Sequence, residues 1–151
     1  MHRALLSSAL AIASVVAPLS VAPATAAGQA DPRVVVERFS GPRGSTVRRA
    51  LVRDLEDNGV EVIDEDEEAA ARRRLGYGRS LEPEDYEELA RALRASAFLQ
   101  GRVRRQRRRW SAAVRVLDAR DGEELGDASW GGRTASALRG VGVTGFSRLE
   151  R

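Results

Sequence analysis

The chain has 151 residues, 42% hydrophobic and 31% charged, with a formal net charge of +3 and no cysteine. That leaves room for one small domain with a single core, and it removes disulfides, thiol nucleophiles and thiolate metal sites. All 25 basic residues are arginine, which reads as the codon usage of a GC-rich genome before it reads as selected chemistry, and the one histidine, His2, stands in a segment expected to be removed.

Met1-His2-Arg3 is a short basic start, Ala4 to Val21 is apolar and rich in small residues, and Ala24-Thr25-Ala26 has the small-x-small form of a signal-peptidase site. Residues 1–26 are therefore expected to be an export signal, cleaved after Ala26. The serines, Pro18 and a length at the low end for crossing hydrocarbon argue against a retained anchor, so no transmembrane segment is expected after cleavage. No cysteine follows the apolar run, so a lipoprotein-type anchor is not expected. The mature chain would carry neither His nor Cys, which weighs against an enzyme; no catalytic residue, metal or cofactor is expected.

After Pro32, the run Arg33–Phe39 is β-branched and of strand length, and its consecutive valines predict burial on both faces. Gly41-Pro42-Arg43-Gly44 breaks it, and Ser45 or Thr46 is expected to cap a helix whose apolar stripe is Val47, Ala50, Leu51 and Leu55. Asn58-Gly59 ends that helix, and Val60–Asp64 reads as a second strand, completing a parallel βαβ unit. Asp64–Leu75 is a short helix ordered by charge, acids first and Arg72-Arg73-Arg74 last, with Glu68 placed to pair with Arg72. Pro83 opens the next helix, with Tyr86, Leu89, Ala90 and Leu93 as its buried stripe.

From Phe98 to Trp130 the spacing predicts a three-stranded meander. Leu99, Gly101 and Val103 alternate with Gln100, Arg102 and Arg104; the turn is Arg107-Arg108-Arg109; Trp110, Ala112, Val114 and Val116 then alternate with Ser111, Ala113 and Arg115. Asp121-Gly122 signals a second short hairpin into a strand from Leu125 to Trp130. Leu138, Val141, Phe146 and Leu149 keep helical spacing beyond it, against three interrupting glycines.

This order of elements, with V-V-V-E-R-F, V-E-V-I-D, A-S-A-F-L-Q-G-R-V and W-S-A-A-V-R-V-L-D-A-R-D-G-E-E-L at the corresponding places, resembles the amino-terminal domain of the Tol–Pal protein TolB. It is also similar to CsgG-like domains of the bacterial envelope. The resemblance covers Arg33 to Trp130 and implies an envelope-located α/β binding module with no catalytic residues to transfer. No counterpart to TolB's propeller, or to CsgG's lipidated cysteine and barrel-forming hairpins, is expected from this sequence. The fold class expected is α/β: a mixed sheet of about five strands in the order βαβ(α)αβββ, helices mainly on one face, and a possible C-terminal helix. The domain is expected over residues 27–132, with a tail over 133–151.

Function then rests on surface. Arg102, Arg104, Arg105, Arg107, Arg108, Arg109 and Arg115, with Trp110 among them, form the candidate interaction surface. Arginines there solvate an open face and blunt a strand edge, which is their plainest role; they also suit an acidic protein or a phosphate-bearing polymer. Envelope proteins are the expected partners, an anionic envelope polymer or lipid is the alternative, and nucleic acid is not expected after export. The nine carboxylates between Asp54 and Glu68 fail the EF-hand template, with Ala69 at its glycine position and Leu75 at its closing glutamate, and read as capping and solvation. Gly41–Thr46 lacks the spacing and lysine of a phosphate loop and reads as a turn.

Overall fold

Val34, Val35 and Val36 are buried alternately on opposite sides of a five-stranded sheet, and that sheet organises the molecule. The computed structural model describes residues 33–78 and 80–150; the expected export signal lies outside the described residues. In chain order the elements are β1 (Arg33–Val36), α1 (Gly44–Asp57), β2 (Glu61–Ile63), α2 (Glu65–Leu75), α3 (Pro83–Leu93), β3 (Ala97–Gln106), β4 (Arg109–Asp118), β5 (Glu124–Gly132), a 3-10 turn (Ala135–Gly140) and α4 (Val141–Leu149). The sheet order is β2-β1-β3-β4-β5, with β1 parallel to both neighbours and β3-β4-β5 antiparallel. The α/β class, the mixed sheet and the C-terminal helix are as the sequence leads one to expect.

The helices do not gather mainly on one face. Val47, Leu51 and Leu55 of α1, Leu138 and Val141 pack with Val34, Val36, Leu99, Val103, Val114 and Trp130 on one side. Ala71 of α2 and Tyr86, Leu89 and Leu93 of α3 pack with Val35, Ile63, Phe98 and Leu117 on the other. The cause is topological. The chain steps from β1 outward to β2, then returns past β1 to β3. Two crossovers of the same hand that run in opposite directions must lie on opposite faces. Leu51, Leu89 and Phe98 are fully enclosed in these two cores, so truncating any one to Ala should cost about 3 kcal/mol.

Three local details also differ from expectation. Neither Ser45 nor Thr46 caps α1: the helix begins at Gly44 behind Arg43, which takes the left-handed conformation at φ 63°. A side chain at Gly44 would stand 2.4 Å from the Phe39 carbonyl oxygen, so the close turn requires glycine there. The β3–β4 turn uses two residues, Arg107 and Arg108, while Arg109 opens β4 opposite Gln106. The β4–β5 connection runs through residues 119–123, with Gly122 at φ 70° and its Cα against the Tyr86 ring, where a Cβ would lie 2.5 Å from Cδ2. Elsewhere the charge pattern does what it promised: Asp64 accepts from the Asp66 amide at 2.7 Å, and Glu82 N donates to Asp85 Oδ2 at 2.9 Å at the start of α3.

Candidate functional site

The site begins with a bulge at the end of β1. Val36 stands opposite Leu99 and Ser40 opposite Arg102, so three residues, 37–39, face two, 100 and 101. The extra residue lets Phe39 turn into the α1 side, where its ring lies over Gly101 at a distance (2.3 Å to a notional Cβ) that no side chain would permit. Glu37 stays on the α2–α3 side, and Arg38 is thrown outward to pair with Glu65 at 2.5 Å.

On that same side α2 and α3 cover only β2, β1 and the adjoining ends of β3 and β4, through Phe98 and Leu117. The rest of the face is bare. It forms a shallow concavity of about 670 Å³ in which Arg38, Arg102, Arg104 and Arg115 surround a floor of Ser111, Ala113 and Ser129, with Glu37 and Gln100 at the helix-covered end. Register explains the floor: Arg102 stands opposite Ala113, which stands opposite Ser129, and Arg104 stands opposite Ser111. Small residues in the middle with long cations beside them make a shelf rather than a pit.

The expected surface residues divide among three places. Arg102, Arg104 and Arg115 come together on the bare face, and alternation along β4 puts Arg109 on the same side. Arg107 and Arg108 form the turn at φ 42° and 66°. Trp110 and Arg105 belong to the opposite side: Trp110 packs on the α1 core, with the Arg43 and Arg105 guanidinium groups 5.7 and 5.4 Å from its ring centroid. Trp130 is buried on that side too, its Nε1 donating to Thr144 Oγ1 at 3.0 Å. Arg115 donates to Gln100 Oε1 at 2.9 Å and lies 3.5 Å from Glu124, whereas Arg102 and Arg104 make no ion pair among the described residues.

Behind the shelf sits a polar cluster. Arg72 of α2 donates to Glu68 at 2.7 Å, to Glu37 at 3.0 Å and to the Gly78 carbonyl at 3.2 Å. Burial pushes the Glu37 carboxyl above its ordinary 4.5, with Arg72 opposing that rise and Glu68 adding to it. Gln100 Nε2 donates to the Tyr86 hydroxyl at 2.8 Å, and burial first, then the nearby Glu37 charge, raise the Tyr86 phenol to about 12. The Glu68–Arg72 pair is legible in the sequence as an i, i+4 spacing; the part played by Glu37 is not, because the bulge that keeps it on this side has no local signature.

The acidic block is largely spent within the molecule. Glu61 and Glu67 pair with Arg33, Glu65 with Arg38 and Arg48, and Glu68 with Arg72. Among the described residues, no group of three or more acids or histidines could hold a metal ion, and no helix is long and apolar enough to cross a membrane. What the geometry offers is a cationic, hydrogen-bonding shelf on a rigid sheet, suited to binding.

No family model matches the sequence, and no curated protein does. Solved structures share the fold. The LpoB C-terminal domain from Salmonella enterica is similar over 70% of this chain and 84% of its own, at 15% identity and a TM-score of 0.56. Lipoprotein GNA1162 from Neisseria meningitidis is similar over 77% of this chain and 94% of its own, at 20% identity and 0.54. TolB from Acinetobacter baumannii is similar over 75% of this chain but only 26% of its own length, at 12% identity and 0.52. At these identities the likeness establishes a TolB- and LpoB-like fold.

Proposed function

We propose that this protein is an exported, non-catalytic binding or adaptor module of the bacterial cell envelope, acting through contacts with another protein on the bare half of its sheet. The observation that carries the reading is the shelf: Arg102 and Arg104 stand on a rigid, uncovered β-sheet with no carboxylate of their own. The apolar start ending in Ala24-Thr25-Ala26 supports export and a mature chain beginning at Ala27. The fold shared with LpoB, a lipoprotein and part of TolB supports an envelope role, and kinship with CsgG-like domains belongs to the same reading. A mature chain without His or Cys supports a binding rather than a bond-making role.

A second reading, retention on an anionic envelope polymer or lipid, is favoured by the hairpin tip, where Arg107, Arg108 and Arg109 are exposed without ion pairs among the described residues. Affinity capture from solubilised envelopes separates the two. The protein reading predicts a discrete partner retained by the wild type and lost from R102Q/R104Q, with R107S/R108S/R109S still retaining it. Retention on anionic vesicles or heparin that disappears in R107S/R108S/R109S, with no protein partner lost from R102Q/R104Q, would favour the polymer instead.

A further inference from the structure

We infer that the partner's contacting element is an acidic α-helix, lying on the bare face along the direction of β3 and β4 with carboxylates on Arg102 and Arg104. This rests on the proposed protein-binding role and names the chemistry of its occupant.

Backbone satisfaction sets the shape of the occupant. The strands beneath the shelf already pair with one another, so a segment lying on the face finds no ladder there. It must satisfy its own amides and carbonyls, which a helix does and an extended strand does not. Extended peptides belong at a sheet edge, here the outer side of β5, whereas Arg102 and Arg104 stand on β3 in the interior of the sheet.

Spacing and sign then fix the sequence character. Arg102 and Arg104 are alternate residues of β3 on one side, so they repeat at roughly 6.6–6.8 Å. Residues four apart on a helix present their Cβ atoms about 5–6 Å apart, a mismatch that side chains of this length absorb. The floor of Ser111, Ala113 and Ser129 lets a helix settle low enough for guanidinium–carboxylate bonds to close from the side. The molecule already uses this contact with the signs reversed: Arg72 of its own helix α2 reaches Glu37 at the edge of the same face, at 3.0 Å. A polyanion needs neither the floor nor the register and would be met first by the projecting tip. Beyond Val103, β3 pairs with β4 alone, so the turn at Arg107 and Arg108 stands clear of β1.

Amide NMR of the exported protein tests this with three probes: an alanine-based helical peptide bearing Glu at i and i+4, the same composition with helix-breaking prolines, and a heparin oligosaccharide. The helical peptide should shift Gln100, Arg102, Ala113 and Ser129 and should bind about tenfold more tightly than its broken counterpart. The exchange R102E/R104E should weaken it about tenfold and let the variant accept a matching peptide with Lys in place of Glu. The amide spectrum of the variant, unchanged outside the shelf, shows that folding is intact. Equal binding of the helical and broken peptides, shifts centred on Arg107–Arg109 for every probe, or no loss in R102E/R104E would overturn the inference. If all three probes fail while a partner is still captured through Arg102 and Arg104, the helix is wrong and the binding role stands.

Discussion

Arg107 and Arg108 hold positive φ angles of 42° and 66° in a two-residue turn, the conformation that favours Asn-Gly and costs a side-chain-bearing residue roughly 1–2 kcal/mol. Replacing them as R107N/R108G should therefore raise stability by about 1 kcal/mol, read as a higher Tm with unchanged secondary structure. A lower Tm would mean that the two arginines are held by contacts outweighing the strain. Glu37 makes the second residue-scale prediction. Its carboxyl is raised above 4.5 chiefly by burial, so its contribution to stability is complete below the unfolded value and is lost as pH rises through the folded one. E37Q should gain on the wild type as pH rises above 4.5 in paired denaturation curves, even though it loses the charged bond to Arg72. A difference that stays flat over that range, or runs the other way, would refute the burial account.

Element by element, the residues that alternate or repeat at helical spacing land where their periodicity puts them. Tyr86, Leu89, Ala90 and Leu93 are all buried on α3, and Leu99, Val103, Ala112 and Val114 all face α1. Periodicity speaks within an element. It is silent on which side of β1 the chain returns, and that return decides the face on which α2 and α3 lie. The valines of β1, buried on both sides, already required two covered faces; the missing information was the strand order. Half of the candidate site was legible for the same reason, since Arg102, Arg104 and Arg115 follow from alternation. Trp110 adjoins them in sequence but lies on the opposite side. The glycines of α4 are a second case. They weaken the helix as a helix, yet a Cβ at Gly142 would meet the Ala50 Cβ at 2.9 Å, and one at Gly145 would come within 2.5 Å of Leu51 and 3.0 Å of the Asp54 carboxylate that accepts from the Phe146 amide. Close approach to α1 outweighs propensity, so Gly142→Val should cost about 2 kcal/mol and loosen α4 first, seen as faster amide exchange over 141–149. Unchanged exchange there would show that α4 does not depend on this contact.

At the scale of the molecule, the sheet is closed on one side by α1 and α4 and half closed on the other by α2 and α3. Acids of β2 and α2 pair with Arg33, Arg38, Arg48 and Arg72, while Arg102 and Arg104 on the half that remains open, and Arg107, Arg108 and Arg109 on the adjoining hairpin tip, make no ion pair among the described residues. That asymmetry is what the binding role draws on. A photocrosslinking residue in place of Ala113, at the centre of the shelf, tests it, with a second at Glu87, an exposed position on α3 away from the shelf. A discrete protein adduct is expected from position 113, absent from position 87 and abolished by R102Q/R104Q. Adducts of equal yield from both positions, or an adduct at 113 that survives R102Q/R104Q, would contradict it.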